Sequence, residues 1–288
     1  MVAVATARRW CHAGAVPEAS WNIAEVERWR GLAAVLWLGA LLVWEMRRPS
    51  RLLFPTARER LVHGGRNLLI GGSNSALTAI LFAASWKAVA IWSAHHRFGL
   101  AHRFDGSGLS STAVALLAFD LWTWLWHRLN HRFPLLWRFH RMHHSDPAMD
   151  VTSANRFHPG EIVLSSLLRL PVIALVGLGF ETLVLYETAM LAVVQWHHAN
   201  IALPARLDRL LRVLIVTPAM HKVHHSRVPA ETNSNYAALL SVWDRIFDTW
   251  RERPDPREIR FGLAGFDDTE CQSLRGLLAT PLADRDRR

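Results

Sequence analysis

Apolar and charged stretches alternate along the chain in a way that predicts helices crossing a bilayer. Residues 31–46 form a first apolar run, short for a span, with Trp29 and Trp44 near its ends. A basic stretch follows at 47–66, carrying Arg47, Arg48, Arg51, Arg58, Arg60 and Arg66; the positive-inside rule places it in the cytoplasm. Residues 67–94 predict a second span, long enough to tilt, and 95–108 a short loop on the far side. Residues 109–126 predict a third span returning to the cytoplasm. Residues 132–160 are polar and histidine-rich and read as cytosolic. Residues 162–180 and 182–196 predict an apolar hairpin, with Arg169 and Pro171 inside its first arm as reasons for a kink or a shallow path. Next, Leu203, Leu207, Leu210, Leu211 and Leu214 recur at helical spacing with Arg206, Arg209 and Arg212 between them. That pattern predicts a basic amphipathic helix on an anionic membrane surface.

The expected fold is therefore all-α: a bundle of three to five membrane helices with a cytosolic, histidine-rich helical cap. Three regions follow from the pattern. Residues 1–110 carry two membrane helices behind a mixed, peripheral start without the apolar core of a signal peptide, 111–250 carry the chemistry, and 251–288 read as a polar cytosolic tail.

Composition sharpens this reading. Half of the 288 residues are apolar, yet a fifth are charged, and the formal net charge is +9. Almost all of the positive charge is arginine, since only Lys87 and Lys222 are lysine. The arginines flank apolar runs, which points to anionic lipid and away from nucleic acid. Fourteen tryptophans fit a membrane interface. The two cysteines, Cys11 and Cys271, are far apart and form no C-x-x-C, which excludes thiolate metal sites and disulfide scaffolds.

Histidine carries the chemistry. His127 and His131 form H-x-x-x-H where the third span ends. His140, His143 and His144 form H-x-x-H-H, and His221, His224 and His225 repeat it. Positions i, i+3 and i+4 share one face of a helix, which suits a shared metal. With 16 histidines in 288 residues, a given H-x-x-H-H arises by chance in roughly 5% of such chains and a pair in roughly 0.1%. These eight histidines therefore read as metal ligands, whereas His12, His63, His95, His96 and His102 read as ordinary interfacial residues. Eight imidazoles exceed the four that one zinc takes, so two ions are expected. Imidazole suits iron, zinc, copper and nickel alike. A two-metal site beside lipid C–H bonds favours iron, with zinc a possible substitute in a purified sample.

"DLWTWLWHRLNH", "LWRFHRMHHS", "HAN" followed by "LP", and "TPAMHKVHHS…TNSNY…SVWDRIFDT" together resemble the membrane fatty acid hydroxylase and sterol desaturase superfamily over about residues 120–250. The resemblance implies a histidine-ligated di-iron centre on the cytosolic face and O2-dependent hydroxylation or desaturation of a sterol, fatty acyl or related lipid. It adds His198, in the H-x-N position beside Asn200, to the ligands, and raises His158 in an R-x-H-P-x-E element as ligand or supporting residue; His197 is the more doubtful neighbour. The family pattern usually has Gly where Ala237 and Asp248 stand. Asp120, two helical turns before His127, and Asn200 are candidates to hold ligand rings in place, as are Asp146, Asp244 and Asn233. Arg128, Arg141 and Lys222 are expected to turn toward lipid phosphate. No nucleotide, haem or iron–sulfur motif is present, so electrons are expected from an external carrier, a ferredoxin or a cytochrome with its reductase, steered by the basic face. The expected location is a bacterial inner membrane. Two rival readings remain open: a membrane-surface zinc hydrolase using Glu161 or Glu187 as base, and a metal transporter or sensor.

Overall fold

The computed structural model describes residues 23–104 and 108–284. The start of the peripheral segment, with Cys11 and His12, and residues 105–107 of the far-side loop lie outside the described residues. Among the described residues the helices of seven residues or more are α1 (Ile23–Arg47), α2 (Ala57–Leu81), α3 (Ala83–His95), α4 (Gly108–Arg132), α5 (Pro134–His144), α6 (Pro159–Val176), α7 (Phe180–His198), α8 (Ala205–Leu211) and α9 (Pro218–His224). Among the described residues no strand forms; there are only two isolated bridges, Ile215 with Leu240 and Ser226 with Phe261. The fold is all-helical, as the pattern predicts.

Among the described residues three helices are long and apolar enough to cross a membrane: Arg28–Arg47 within α1, all of α4 and all of α6. The α2–α3 pair, bent by 51°, makes a fourth candidate. The bend falls at Phe82, inside the run read as one span. Large apolar side chains such as Val35, Leu36, Ile80, Leu109 and Leu175 lie on the outside. In water so much exposed apolar surface would drive aggregation; in a bilayer it is the solvated face. α6 stays continuous through Pro171. Its Arg169 pairs with Glu187 of α7 at 2.5 Å and lies over the rings of Trp86 and Phe119, so the charge faces protein.

The basic stretch is not all loop. Thr56 caps α2, accepting from the Glu59 amide, and the first half of the helix turns a polar stripe inward. Asn67 donates to Thr152, Asn74 to the Phe157 carbonyl, and Gly71 leaves no room for a Cβ against Asn155. α2 thus clamps the segment joining α5 to α6. Glu45 at the end of α1 does similar work: buried, it accepts from the backbone amides of Val151 and Asn200 and pairs with Arg60.

Two expectations are corrected. α8 is only seven residues long, and the leucines assigned to one face divide. Leu203 and Leu211 pack inward with Ile201 and Ile215, while Leu207, Leu210 and Leu214 are exposed. Asp208, buried and paired with Arg212, occupies the inner face between them. The segment read as a tail packs onto the cap as far as it is described. Ile259 and Phe261 join Met149 and Val223, and Leu277 joins Met142 and Ile70.

At the far end of the bundle, Gly99 has φ +113°, and a Cβ there would lie 2.3 Å from the backbone nitrogen of Gly177, itself at φ +77°. Gly99→Ala is expected to cost on the order of 3 kcal/mol, seen as a lower thermal midpoint in detergent. Metal content of the folded fraction should not change, because the contact lies at the other end from the histidines.

Candidate metal centre

The sequence places the histidines at helix ends, and the fold brings those ends together. α4 delivers His127 and His131 in its last two turns. Pro134 starts α5 at once, so His140, His143 and His144 return beneath them. α7 ends on His198, and α9 carries the last set. Ligand nitrogens converge in two groups, each within 4.8 Å: His127, His131, His140, His144 and His224; and His143, His198, His221 and His225. All but His127 are buried. The two H-x-x-H-H repeats exchange roles. α5 sends its i, i+4 pair to the first group and its i+3 residue to the second; α9 does the reverse.

Spacing and tautomers test whether this is a metal site. In the first group the Nε2 atoms of His224 and His127 are 3.0 Å apart, those of His127 and His140 3.1 Å, and those of His140 and His144 3.2 Å. In the second, His143 to His198 and His198 to His221 are each 3.2 Å, and His221 to His225 is 3.1 Å. Hydrogen bonds between the rings do not account for this. The Nδ1 of His127 faces the Tyr236 carbonyl at 2.7 Å, that of His224 the Ser234 carbonyl at 2.6 Å, and that of His140 the Glu161 carboxylate at 2.9 Å. Each acceptor keeps the proton on Nδ1 and leaves a bare lone pair on Nε2. Three such lone pairs facing one another repel unless a cation lies among them. His198 is held likewise by the Val194 carbonyl at 2.8 Å. Burial, and then neighbouring rings, push His143, His144, His221, His224 and His225 well below the usual imidazole range, so these rings stay neutral and able to ligate. The residues fit two metal ions.

A short loop organises much of the first group. Besides the Ser234 and Tyr236 carbonyls, the Asn233 side chain reaches His131. Asn235, at φ +51°, ties this loop to Met220 and Arg251 through its side-chain amide. Asp244 accepts from the amides of Tyr236 and Ala237, from Trp124 Nε1 and from Thr249, and so braces the loop from behind. Asp248, where the family pattern has Gly, sits at φ +54°, a backbone that Asp tolerates better than most residues. The fully buried Ala237 fits its site without a Gly.

The R-x-H-P-x-E element divides its labour. Arg156 binds the Met142 carbonyl and Ser145, closing the end of α5. His158 caps α6 through Nδ1, which accepts from the Gly160 amide, while Nε2 donates to the Leu278 carbonyl. Both nitrogens are engaged, and His158 lies outside both groups. Glu161 holds His140; the sequence offered it only as a hydrolytic base. His197 packs its ring 3.9 Å from that of His221 but is in neither group.

Other expected roles move. Asp120 touches no box histidine; it accepts from Tyr186, Trp243 and the Leu240 amide, joining α4 to α7 and to the segment after the loop. Asn200 donates to the Arg51 carbonyl. Asp146 binds His63 and Ser153, so His63 is a half-buried structural partner and not a loose interfacial ring. Arg141 and Lys222 do not reach toward lipid. Arg141 is buried against the carbonyls of Thr280 and Ala283. Lys222, pushed down to about 8 by burial, donates to the Ile201 carbonyl. Arg128 alone of the three is exposed.

Two measurements test this geometry. Glu161→Gln keeps the side chain's size and removes the charged acceptor behind His140. Metal affinity, read by chelator competition, should fall about 10- to 100-fold with helix content unchanged. The five rings with lowered proton affinity also set a pH dependence. Below about pH 6.5 unfolded or released imidazoles take up protons that the folded groups refuse. Stability and metal retention should therefore be full above that pH and decline as it falls. A midpoint that rose toward acid would contradict the assignment.

The family described as Fatty acid hydroxylase matches residues 112–249, the stretch that holds every residue of both histidine groups. The ornithine lipid hydroxylase OlsE of Rhizobium tropici is 27% identical over 61% of this chain and 51% of its own. Alkylglycerol monooxygenase of Danio rerio is 27% identical over 52% of this chain and 32% of its own. Cholesterol 25-hydroxylase of Rattus norvegicus is 24% identical over 54% and 51%. The chain thus spans about half or less of the length of these curated relatives. No solved structure matches it. Over residues 112–249 this chain is similar to the fatty acid hydroxylase family.

Proposed function

We propose that the protein is an integral membrane lipid hydroxylase that uses dioxygen and two iron ions, one held by each histidine group. The observation that carries this reading is the pair of inward-facing imidazole sets at the ends of membrane-length helices. The reaction inserts one oxygen atom of O2 into a lipid C–H bond and releases the other as water, consuming two electrons and two protons. Bound iron would supply the activation of dioxygen and the oxidising power. The chain's own part is to hold nine rings in register, through the Tyr236 and Ser234 carbonyls, Glu161 and the Val194 carbonyl, and to shield them from water. Electrons come from an external protein donor, a ferredoxin or cytochrome with its reductase. The arginines between α1 and α2 favour a cytoplasmic position for the cap, in a bacterial inner membrane.

Iron is preferred to zinc on two grounds. Five rings in one group exceed a closed four-coordinate zinc site. With metal–nitrogen bonds of about 2.1 Å, nitrogens at right angles lie about 3.0 Å apart and tetrahedral ones about 3.4 Å, and the His224–His127 and His127–His140 edges, 3.0 and 3.1 Å, lie nearer the former. A hydrolase reading lacks its base: Glu161 sits behind His140, away from the converging nitrogens, and Glu187 is paired with Arg169. Hydroxylation is preferred to desaturation because the similar proteins are hydroxylases and monooxygenases by name.

Lipids extracted from cells expressing the wild type should contain species heavier by one oxygen atom, absent with His143→Ala. Purified wild type loaded under iron should hold two ions per chain. An unchanged lipid profile, or full activity with zinc alone and no O2 uptake, would overturn the reading.

A further inference from the structure

A cavity of about 400 Å³ opens beside the first histidine group, lined by Arg128, His131, Arg132, Asn233 and Tyr236. Its lining is more polar than apolar, which is unlike a channel for an acyl chain. Arg128 and Arg132 stand one turn apart on the same face of α4, and both are exposed. Neither pairs with a carboxylate among the described residues; Arg128 instead lies over Trp124, 5.3 Å from the ring, and Trp124 stacks on Phe247 at 4.4 Å. The end of a helix accounts for one cation in its last turn. It does not account for a polar cavity between two unpaired guanidinium groups and the side chains of Asn233 and Tyr236. Such an arrangement is complementary to an anion.

Size limits the occupant. Ligand cavities run from about 300 to 1,000 Å³, so this one takes a head group and not a whole lipid or a protein. The chain around it is apolar and exposed: Leu125 one turn before Arg128, Phe133 and Leu135 just after Arg132, and Phe247 beside Trp124. A lipid could leave its hydrocarbon along that surface with its polar end inside.

We propose that this cavity binds the anionic group, phosphate or carboxylate, of the lipid substrate through Arg128 and Arg132, so that the carbon to be hydroxylated lies near the polar end of the lipid. The inference rests on the reading of the first histidine group as part of the reaction centre. His131 belongs both to that group and to the cavity wall, so an anion held by the two arginines is kept within a short reach of the ligand set.

The test is binding to the purified full chain in neutral detergent, with three probes: dioleoyl phosphatidate, oleate and uncharged dioleoylglycerol. At least one anionic probe should bind about tenfold or more tightly than dioleoylglycerol, and which one does so separates phosphate from carboxylate. Arg128→Gln with Arg132→Gln should remove that preference, with metal content unchanged. Arg206→Gln with Arg209→Gln, on exposed α8, should retain it. Absence of an anionic preference in the wild type, its survival in the α4 double variant, or equal loss in the α8 variant would each overturn the proposal. The two failures are distinguishable. A wild type that prefers anions but neither binds iron nor alters lipid would sink the hydroxylase reading and reduce the cavity to an anion site without a substrate role. An active enzyme whose substrate KM ignores both α4 arginines would sink the cavity alone.

Discussion

Lone-pair repulsion among buried imidazoles is the constraint on which the cap depends. Three Nε2 atoms in the first group face each other at 3.0–3.1 Å with their protons committed to the opposite side of each ring. No neutral tautomer of the three rings relieves this while the Nδ1 acceptors stay in place. A cation relieves it for all of them at once. Metal binding and folding of the cap are therefore coupled, and the structural devices around the rings make sense as ways of holding ligands that would otherwise turn away. The loop at 233–236, the Asp244 brace behind it and Glu161 at the head of α6 all act on the far side of a ring, where they do not compete for the metal.

The exchange between the two H-x-x-H-H repeats adds a second consequence. Because α5 and α9 each give histidines to both groups, the distance between the groups is set by the packing of two short helices against each other. Neither group can shift alone without moving a helix that serves the other. The groups are nonetheless unequal, five rings against four. The difference arises because α4 offers two rings at i, i+4, whereas α7 contributes His198 alone and leaves His197 packed beside it.

Much of this was legible in the sequence for physical reasons that also mark its limits. The membrane helices show because their apolar runs are long. The nine converging histidines show because histidine is rare and its spacing matches a helix; His198 needed the family resemblance as well. The ring acceptors do not show when they are backbone carbonyls, since the Ser234, Tyr236 and Val194 carbonyls would be present whatever residue stood there. Asp120 fell on the right helical face but two turns down, where Tyr186 and Trp243 meet it first. His158 carried the expected element, yet its nitrogens were claimed by the start of α6 and the Leu278 carbonyl. The polar composition of residues 251–284 read as a tail because their few apolar residues are scattered. Ile259, Phe261 and Leu277 each find a separate gap in the cap, and Arg141 binds the carbonyls that follow.

Charge is kept inside the bundle and apolar surface outside it, the reverse of a water-soluble protein. Arg169 pairs with Glu187 between helices, Asp120 takes three donors, and Glu45 takes two amides and Arg60. Each of these ties α1, α4, α6 or α7 to a neighbour. A bilayer supplies no hydrophobic drive between helices, so such polar contacts do much of the work of fixing their relative height. Height matters here more than angle. The ligands sit in the last turns of α4 and α7, and one turn of slippage, about 5.4 Å, exceeds the whole span of either ligand group. The intramembrane polar pairs thus belong to the metal centre as much as the rings do, because they decide where the helix ends arrive.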